Sequence, residues 1–227
     1  MKKISIIIPV FNEKRYVAEL ISRVQGVNFA GLEKEIIIID DGSNDGTREI
    51  LEQFLDRHKI IFHSKTQGKG AALRSGFKIS TGDIIAVQDA DLEYNPEDLN
   101  KLAVPIVAGQ AKVVYGSRMI GKNPIGHLAY YFGNKFISLI ARILYNCRLT
   151  DIETCYKVFS RDVLTNFDLE SNDFGFDPEF TAKVLKNKIA IIELPISYSP
   201  RKFNQGKKIG WHDGLKAIWL LIKYRFK

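Results

Sequence analysis

Three carboxylates close together set the chemical question. In IIAVQDADLEYNPEDL, residues 84–99, an apolar run ends in Asp89, Asp91 and Glu93. Asp89 and Asp91 stand two apart, so extended backbone would turn both side chains the same way, near enough to share a hard divalent cation. Without a cation or an intervening basic residue, charges this close raise one another's pKa. A bare D-x-D also fits a simple turn, with Asp91 starting it and Asp89 capping.

Two further stretches add to the cluster. DDGSNDGT, residues 40–47, places a carboxylate pair after an isoleucine-rich run, with glycines for a tight turn and Asn44 or Asp45 as a helix cap. Asp41 is placed there either to hydrogen-bond a base or ribose or only to shape the turn. TQGKGAALRSGF, residues 66–77, brackets Lys69 with glycines at a helix start, so N–H groups, helix dipole and ammonium are expected to face a phosphate. The spacing is not that of a Walker A loop, and an ordinary glycine-rich helix start fits as well.

The elements that must position these groups alternate. KISIIIPV, EIIIID, KIIFH, DIIAVQDA, AKVVYG and AIIELPISY read as strands, with helices from about Lys14, from about Thr47 and over Gly70–Ile79. This order predicts an α/β fold whose mainly parallel sheet is covered by helices on both faces. Ligands of such sheets gather beyond the carboxyl ends of the strands. Asn12 and Glu13, Asp40 and Asp41, and Asp89 and Asp91 should therefore line one edge.

Composition narrows the class. The chain has 227 residues, 45% of them apolar, enough for one domain with a sizeable core. The net charge of +7 favours anionic partners, but the basic residues are dispersed and no nucleic-acid-binding motif appears, so nucleic acid is not an expected partner. Cys147 and Cys155 lack metal-site spacing and are too few for a disulfide scaffold, which favours a reducing compartment, although the two could bridge. With no signal-like start and no apolar stretch of roughly 20 residues, the expected location is the cytoplasm.

In order along the chain, IIIPVFNE, IIIIDDGSNDGT, GKGAALRSGF, DADLEYNPEDL, YGSR and DIETCYKVF together resemble the family-2 glycosyltransferases of GT-A fold, in particular their polyprenyl-phosphate branch, the dolichol-phosphate mannose synthase-like enzymes. The resemblance implies a Rossmann-like GT-A sheet ending in an amphipathic helix, in one domain whose residues 1–120 would form a nucleotide-sugar-binding half and 121–227 an acceptor-side half with interfacial helices. It also implies that Pro9, Phe11, Glu13 and Asp41 hold the nucleoside of a GDP- or UDP-hexose, with Lys69 beside them. Asp89, Ala90 and Asp91 match the family's D-x-D, and Glu93 stands where a third ligand is supplied, so Asp89, Asp91 and Glu93 would hold Mg²⁺ or Mn²⁺. Arg118 corresponds to an arginine near the acceptor phosphate, and Asp151 to a residue shaping the sugar pocket. SPRKFNQGKKIG resembles, imperfectly, a late R-x-x-G-x-S-K loop that closes over the phosphates, which nominates the cluster Arg201, Lys202 and Lys208.

The acceptor decides whether a base is needed. A phosphate attacks without losing a proton, whereas a sugar hydroxyl requires a positioned base. Asp177 and Glu179 in NDFGFDPEF are the candidates, though Asp177 precedes Pro178 and could cap a helix. HLAYYFGNKFISLIARILYN and WHDGLKAIWLLIKYRFK mix apolar and basic residues as interfacial helices do, which fits a peripheral enzyme on the cytoplasmic face of a membrane; packing on the protein is the other use of such helices. The expected activity is an inverting, metal-dependent transfer of hexose to polyprenyl phosphate. Its rivals are a transferase using a saccharide hydroxyl and a nucleotide-sugar-binding protein without turnover.

Overall fold

KISIIIPV and EKEIIIID are too uniformly apolar for a sheet with one wet face, and both lie inside a seven-stranded sheet. The computed structural model describes residues 2–29, 31–201 and 210–227, without the side chain of Trp211. The strands are β1 (Lys3–Val10), β2 (Glu33–Asp40), β3 (Lys59–Phe62), β4 (Ile84–Val87), β5 (Val113–Ser117), β6 (Lys157–Ser160) and β7 (Ile191–Pro195), in the spatial order β3-β2-β1-β4-β6-β5-β7. β1 runs parallel to β2 and β4, β2 to β3, and β5 to β7, while β6 is antiparallel to both β4 and β5. The result is the mixed, mainly parallel sheet expected.

Register fixes where the polar clusters fall. Val10 pairs with Asp40 and Ile7 with Val87, so β1, β2 and β4 all end at one edge. Their interiors are dry: Ile6, Ile7, Ile8, Ile37, Ile38 and Ile85 are fully buried.

Seven helices are described: α1 (Val17–Gly26), α2 (Thr47–Glu52), α3 (Lys69–Ile79), α4 (Asp98–Val107), α5 (Leu128–Tyr145), α6 (Phe176–Lys186) and α7 (Trp211–Phe226). α1 begins three residues after Lys14, because residues 14 and 15 form a turn whose Tyr16 and Val17 N–H groups both bond the Glu13 carbonyl. Gly76 lets α3 lie close on the sheet, since a Cβ there would come within 2.4 Å of the Ile7 side chain. Ile137 and Ala141 of α5, Ala182 of α6, and Ala217, Leu220 and Leu221 of α7 form a second apolar cluster beside the main core.

Two differences from the expected elements bear on the site. β4 ends at Val87, so Asp89 and Asp91 sit in the turn beyond it, which Leu92 completes with φ +60°. The extended geometry that would have aligned the two carboxylates does not persist. β6, a strand of four residues, was not anticipated; its Phe159 stacks against Phe77 and Phe180 in the core.

Candidate active site

A cavity of about 360 Å³ opens at the strand ends. Pro9, Phe11, Glu13 and Asp41 line it from β1 and β2, Lys69 from the start of α3, and Asp89, Ala90, Asp91 and Glu93 from the turn after β4. Arg118, Glu153, Asp177 and Arg201 complete the wall. Of the sequence-derived candidates, Asp151 and Glu179 are not on that wall, and Lys202 and Lys208 lie outside the described residues.

The carboxylates are distributed among cations. Lys69 Nζ lies 3.0 Å from Asp89 and 3.6 Å from Asp177. Burial opposes its charge, but those two carboxylates hold the ammonium well above the usual lysine range. Arg201 reaches Glu13 at 3.0 Å and Asp91 at 3.3 Å, and Glu93 at 3.8 Å. Glu93 also accepts a hydrogen bond from the Tyr198 hydroxyl at 2.7 Å and from the Arg201 backbone N–H. Burial, and then the charges of Asp89 and Glu93, push the Asp91 carboxyl up to about 7.

Among the described residues no three acidic, histidine or cysteine side chains already form a metal-binding group. The residues nevertheless suit a hard cation. Arg201 alone faces three carboxylates, and Asp91 is kept reluctant to ionise by its neighbours, the condition that oxygen-ligated Mg²⁺ or Mn²⁺ relieves.

Three expected ligand contacts are taken up by the protein itself. Asp41 accepts from the His63 ring at 2.7 Å, the Thr66 hydroxyl at 2.8 Å and the N–H groups of Gln67 and Gly68. A side-chain carboxylate thus occupies the anion position before α3 where a phosphate was expected. The next free N–H of the helix, that of Ala71, bonds the Asn172 carbonyl, and a Cβ on Gly70 would fall within 2.2 Å of the Ser171 carbonyl. Of the expected phosphate cradle, Thr66, Gly68, Lys69 and Ala72 line the cavity, and Lys69 brings its ammonium there.

Glu179 is fully buried and accepts from the backbone N–H groups of Glu170 and Ser171, both at 2.7 Å, and from Lys183 at 2.6 Å. It anchors a loop and has no route to a substrate proton. Asp151, also fully buried, takes the Arg118 guanidinium in a two-bond clamp at 2.7 Å per contact and accepts from Asn134. Burial works against this pair, yet Arg118 keeps the Asp151 carboxyl below the usual range and Asp151 keeps the guanidinium charged. Asp151 therefore aims Arg118, which stacks on Tyr94 and Tyr198 with centroid distances of 6.0 and 5.3 Å.

Asp177 sits in the first turn of α6, 2.5 Å from Lys157 Nζ. Lys157 is fully buried, and its other contacts are the carbonyls of Ile152 and Thr154. Facing a lysine on each oxygen, Asp177 serves as a counterion. Lys157 and Glu153 were not singled out from the sequence, although a lysine inside the apolar run CYKVF already demanded a buried anionic partner. Cys147 and Cys155 are free thiols.

With this geometry in place, the similarities to known proteins are informative. The model of "Glycosyl transferase family 2" matches residues 5–167. Dolichol-phosphate mannosyltransferase of Pyrococcus furiosus is 30% identical over 98% of this chain, which spans 64% of that protein's length. Polyprenol monophosphomannose synthase of Mycolicibacterium smegmatis is 28% identical over 90% of this chain and 80% of its own. Glucosyl-3-phosphoglycerate synthase of Mycobacterium tuberculosis, crystallised with Mn²⁺, UDP and glucosyl-3-phosphoglycerate, superposes with a TM-score of 0.76 at 18% identity, covering 98% of this chain and 80% of that one, a likeness of fold.

Replacing Asp177 by Asn strands a buried ammonium. Urea unfolding of Asp177→Asn is expected to show a loss of about 3–5 kcal/mol, and an unchanged midpoint would contradict the pairing with Lys157. Arg201→Gln removes the cation that competes for Asp91. Its affinity for Mn²⁺ alone, followed by electron paramagnetic resonance, is expected to rise roughly tenfold.

Proposed function

The chain belongs to glycosyl transferase family 2, and on that premise we propose that it transfers a hexose from a nucleotide sugar of GDP-mannose or UDP-glucose type to a polyprenyl phosphate, inverting the anomeric carbon. The observation carrying the choice of acceptor is the state of Asp177 and Glu179, the two carboxylates read from the sequence as candidate bases for a hydroxyl. Asp177 faces Lys157 and Lys69, and Glu179 is bound to Lys183 away from the cavity. A phosphate acceptor needs neither of them. The names of the Pyrococcus and Mycolicibacterium relatives favour the same acceptor class and a mannosyl donor.

Breaking a glycosyl–phosphate bond leaves negative charge on the nucleoside diphosphate. Positive charge placed there beforehand stabilises the transition state more than the ground state. When bound, Mg²⁺ or Mn²⁺ supplies that charge, with Asp89, Asp91 and Glu93 as its holders. Pro9, Phe11 and the loop tied down by Asp41 receive the nucleoside. Arg201, together with Lys202 and Lys208 of the same segment, meets the diphosphate. Arg118, aimed by Asp151, takes the acceptor phosphate, whose oxygen attacks C1 from the face opposite the leaving group. That single displacement inverts the centre.

A lipid acceptor requires a meeting with a membrane. No described helix is long and apolar enough to cross one. α5 instead exposes Leu128, Phe132, Phe136, Leu139 and Ile143 at helical spacing, α7 exposes Leu215, Trp219, Ile222 and Phe226, and the two helices pack side by side. Lys135 and Lys223 flank aromatic rings within these stripes. An apolar stripe edged by cations is the pattern of a helix lying in the interface, which supports a peripheral enzyme on the cytoplasmic leaflet.

A donor panel with Mn²⁺ and a short-chain polyprenyl phosphate is expected to release nucleoside diphosphate only when donor, acceptor and cation are all present. Equal release with a free saccharide as acceptor would overturn the reading. The double variant Phe132→Glu/Trp219→Glu is expected to lose at least about tenfold in affinity for anionic liposomes while keeping turnover on a water-soluble acceptor. Sedimentation and the release assay measure the two separately.

A further inference from the structure

One carboxyl of the cavity wall is left over by the reading above. Glu153, half-buried, lines the cavity with Arg118 and Asp177, and its inner oxygen Oε1 has no hydrogen-bond partner among the described residues. A buried polar atom without a partner is costly, and such atoms in native structures call for an explanation. Here the backbone leaves the side chain little choice. Lys157 Nζ bonds the carbonyls of Ile152 and Thr154, the residues on either side of Glu153. Two residues before it, Asp151 is clamped to Arg118. The peptide carrying Glu153 is therefore held on both flanks, with its side chain on the cavity wall.

We infer that Glu153 is an acceptor-binding residue, whose side chain donates a hydrogen bond to an oxygen of the acceptor's phosphate. This deepens the polyprenyl-phosphate reading and rests on it. Arg118, assigned to the acceptor phosphate, is one of the charges facing Glu153. The others are Asp177 of α6, Lys157 of β6, and Asp151 on its own segment.

A carboxylate beside an anion would repel it, and only a protonated carboxyl can serve. Burial and then the charge of Asp177 push the Glu153 carboxyl up to about 8, against the pull of Lys157 and Arg118. At neutral pH it carries its proton and is a donor; above that range it becomes an anion facing an anion. The sign follows: acceptor affinity is full below about 8 and falls as pH rises through it.

The test is the acceptor KM of the full chain against pH, with a short-chain polyprenyl phosphate, saturating donor and Mn²⁺, for the wild type, Glu153→Gln and Glu153→Leu. In the wild type the acceptor KM is expected to rise roughly tenfold between about pH 7 and about pH 9, with the donor KM steady. Glu153→Gln keeps a donor that cannot ionise, so it is expected to remain active at neutral pH and to lose that rise. Glu153→Leu, matching the wild type in thermal unfolding, is expected to raise the acceptor KM roughly tenfold or more already at neutral pH.

Two results would overturn the inference and leave the polyprenyl-phosphate reading standing: a Glu153→Gln profile identical to the wild type, or an effect confined to the donor KM. Abolition of turnover in Glu153→Gln, the mark of a proton acceptor, would overturn the inference together with the base-free argument for a phosphate acceptor. A wild type that releases no nucleoside diphosphate with polyprenyl phosphate would overturn both.

Discussion

Crowding carboxylates at one sheet edge creates a demand for positive charge, and most of the site is an answer to it. Glu13, Asp89, Asp91 and Glu93 all reach one cavity, and the protein offers them Lys69 and Arg201. Burial, and then the charges of Asp89 and Glu93, outweigh the pull of Arg201 and push the Asp91 carboxyl up to about 7. A site in this condition attracts cations and resists further anions.

Around this acidic centre lies a shell of buried carboxylates whose partners are already chosen. Asp41 closes the loop before α3, Asp151 clamps Arg118, Asp177 answers Lys157, and Glu179 ties down residues 170 and 171. Asp41 and Asp177 stand on the cavity wall, Asp151 and Glu179 behind it. Each replaces water around a charge with fixed donors, so the groups on the cavity wall are placed before a substrate arrives. The shared feature is that the positioning residues resemble catalytic ones in type and differ from them in already holding a partner inside the protein.

That resemblance explains how much could be read from the sequence. The sheet was legible because isoleucine-rich runs alternate with amphipathic segments, and the edge was legible because polar clusters follow those runs at Glu13, Asp41 and Asp89. β6 was not, since four residues carry no period. The roles of Asp151 and Glu179 were not either, because a carboxylate's partner is set by tertiary contact: Arg118 lies 33 positions from Asp151 in the chain, and the N–H groups that hold Glu179 lie in an irregular loop. Glu153 was passed over for the opposite reason, having no neighbour in sequence that marks it out. The absence of a partner is visible only in three dimensions.

Gly68 and Gly70 bring α3 against residues 171–173 so closely that a methyl group on either would strike backbone, and Arg74 bonds both Ser171 and Asn172 from the same helix. The segment so gripped runs directly into α6, which carries Asp177. The helix that brings Lys69 to the acidic turn is thereby mechanically joined to the one beneath the opposite wall. The two halves of the molecule are not modules to be exchanged at will. A hybrid that grafts a foreign second half onto this first half would inherit a mismatched seam unless the matching stretch of α3 travelled with it.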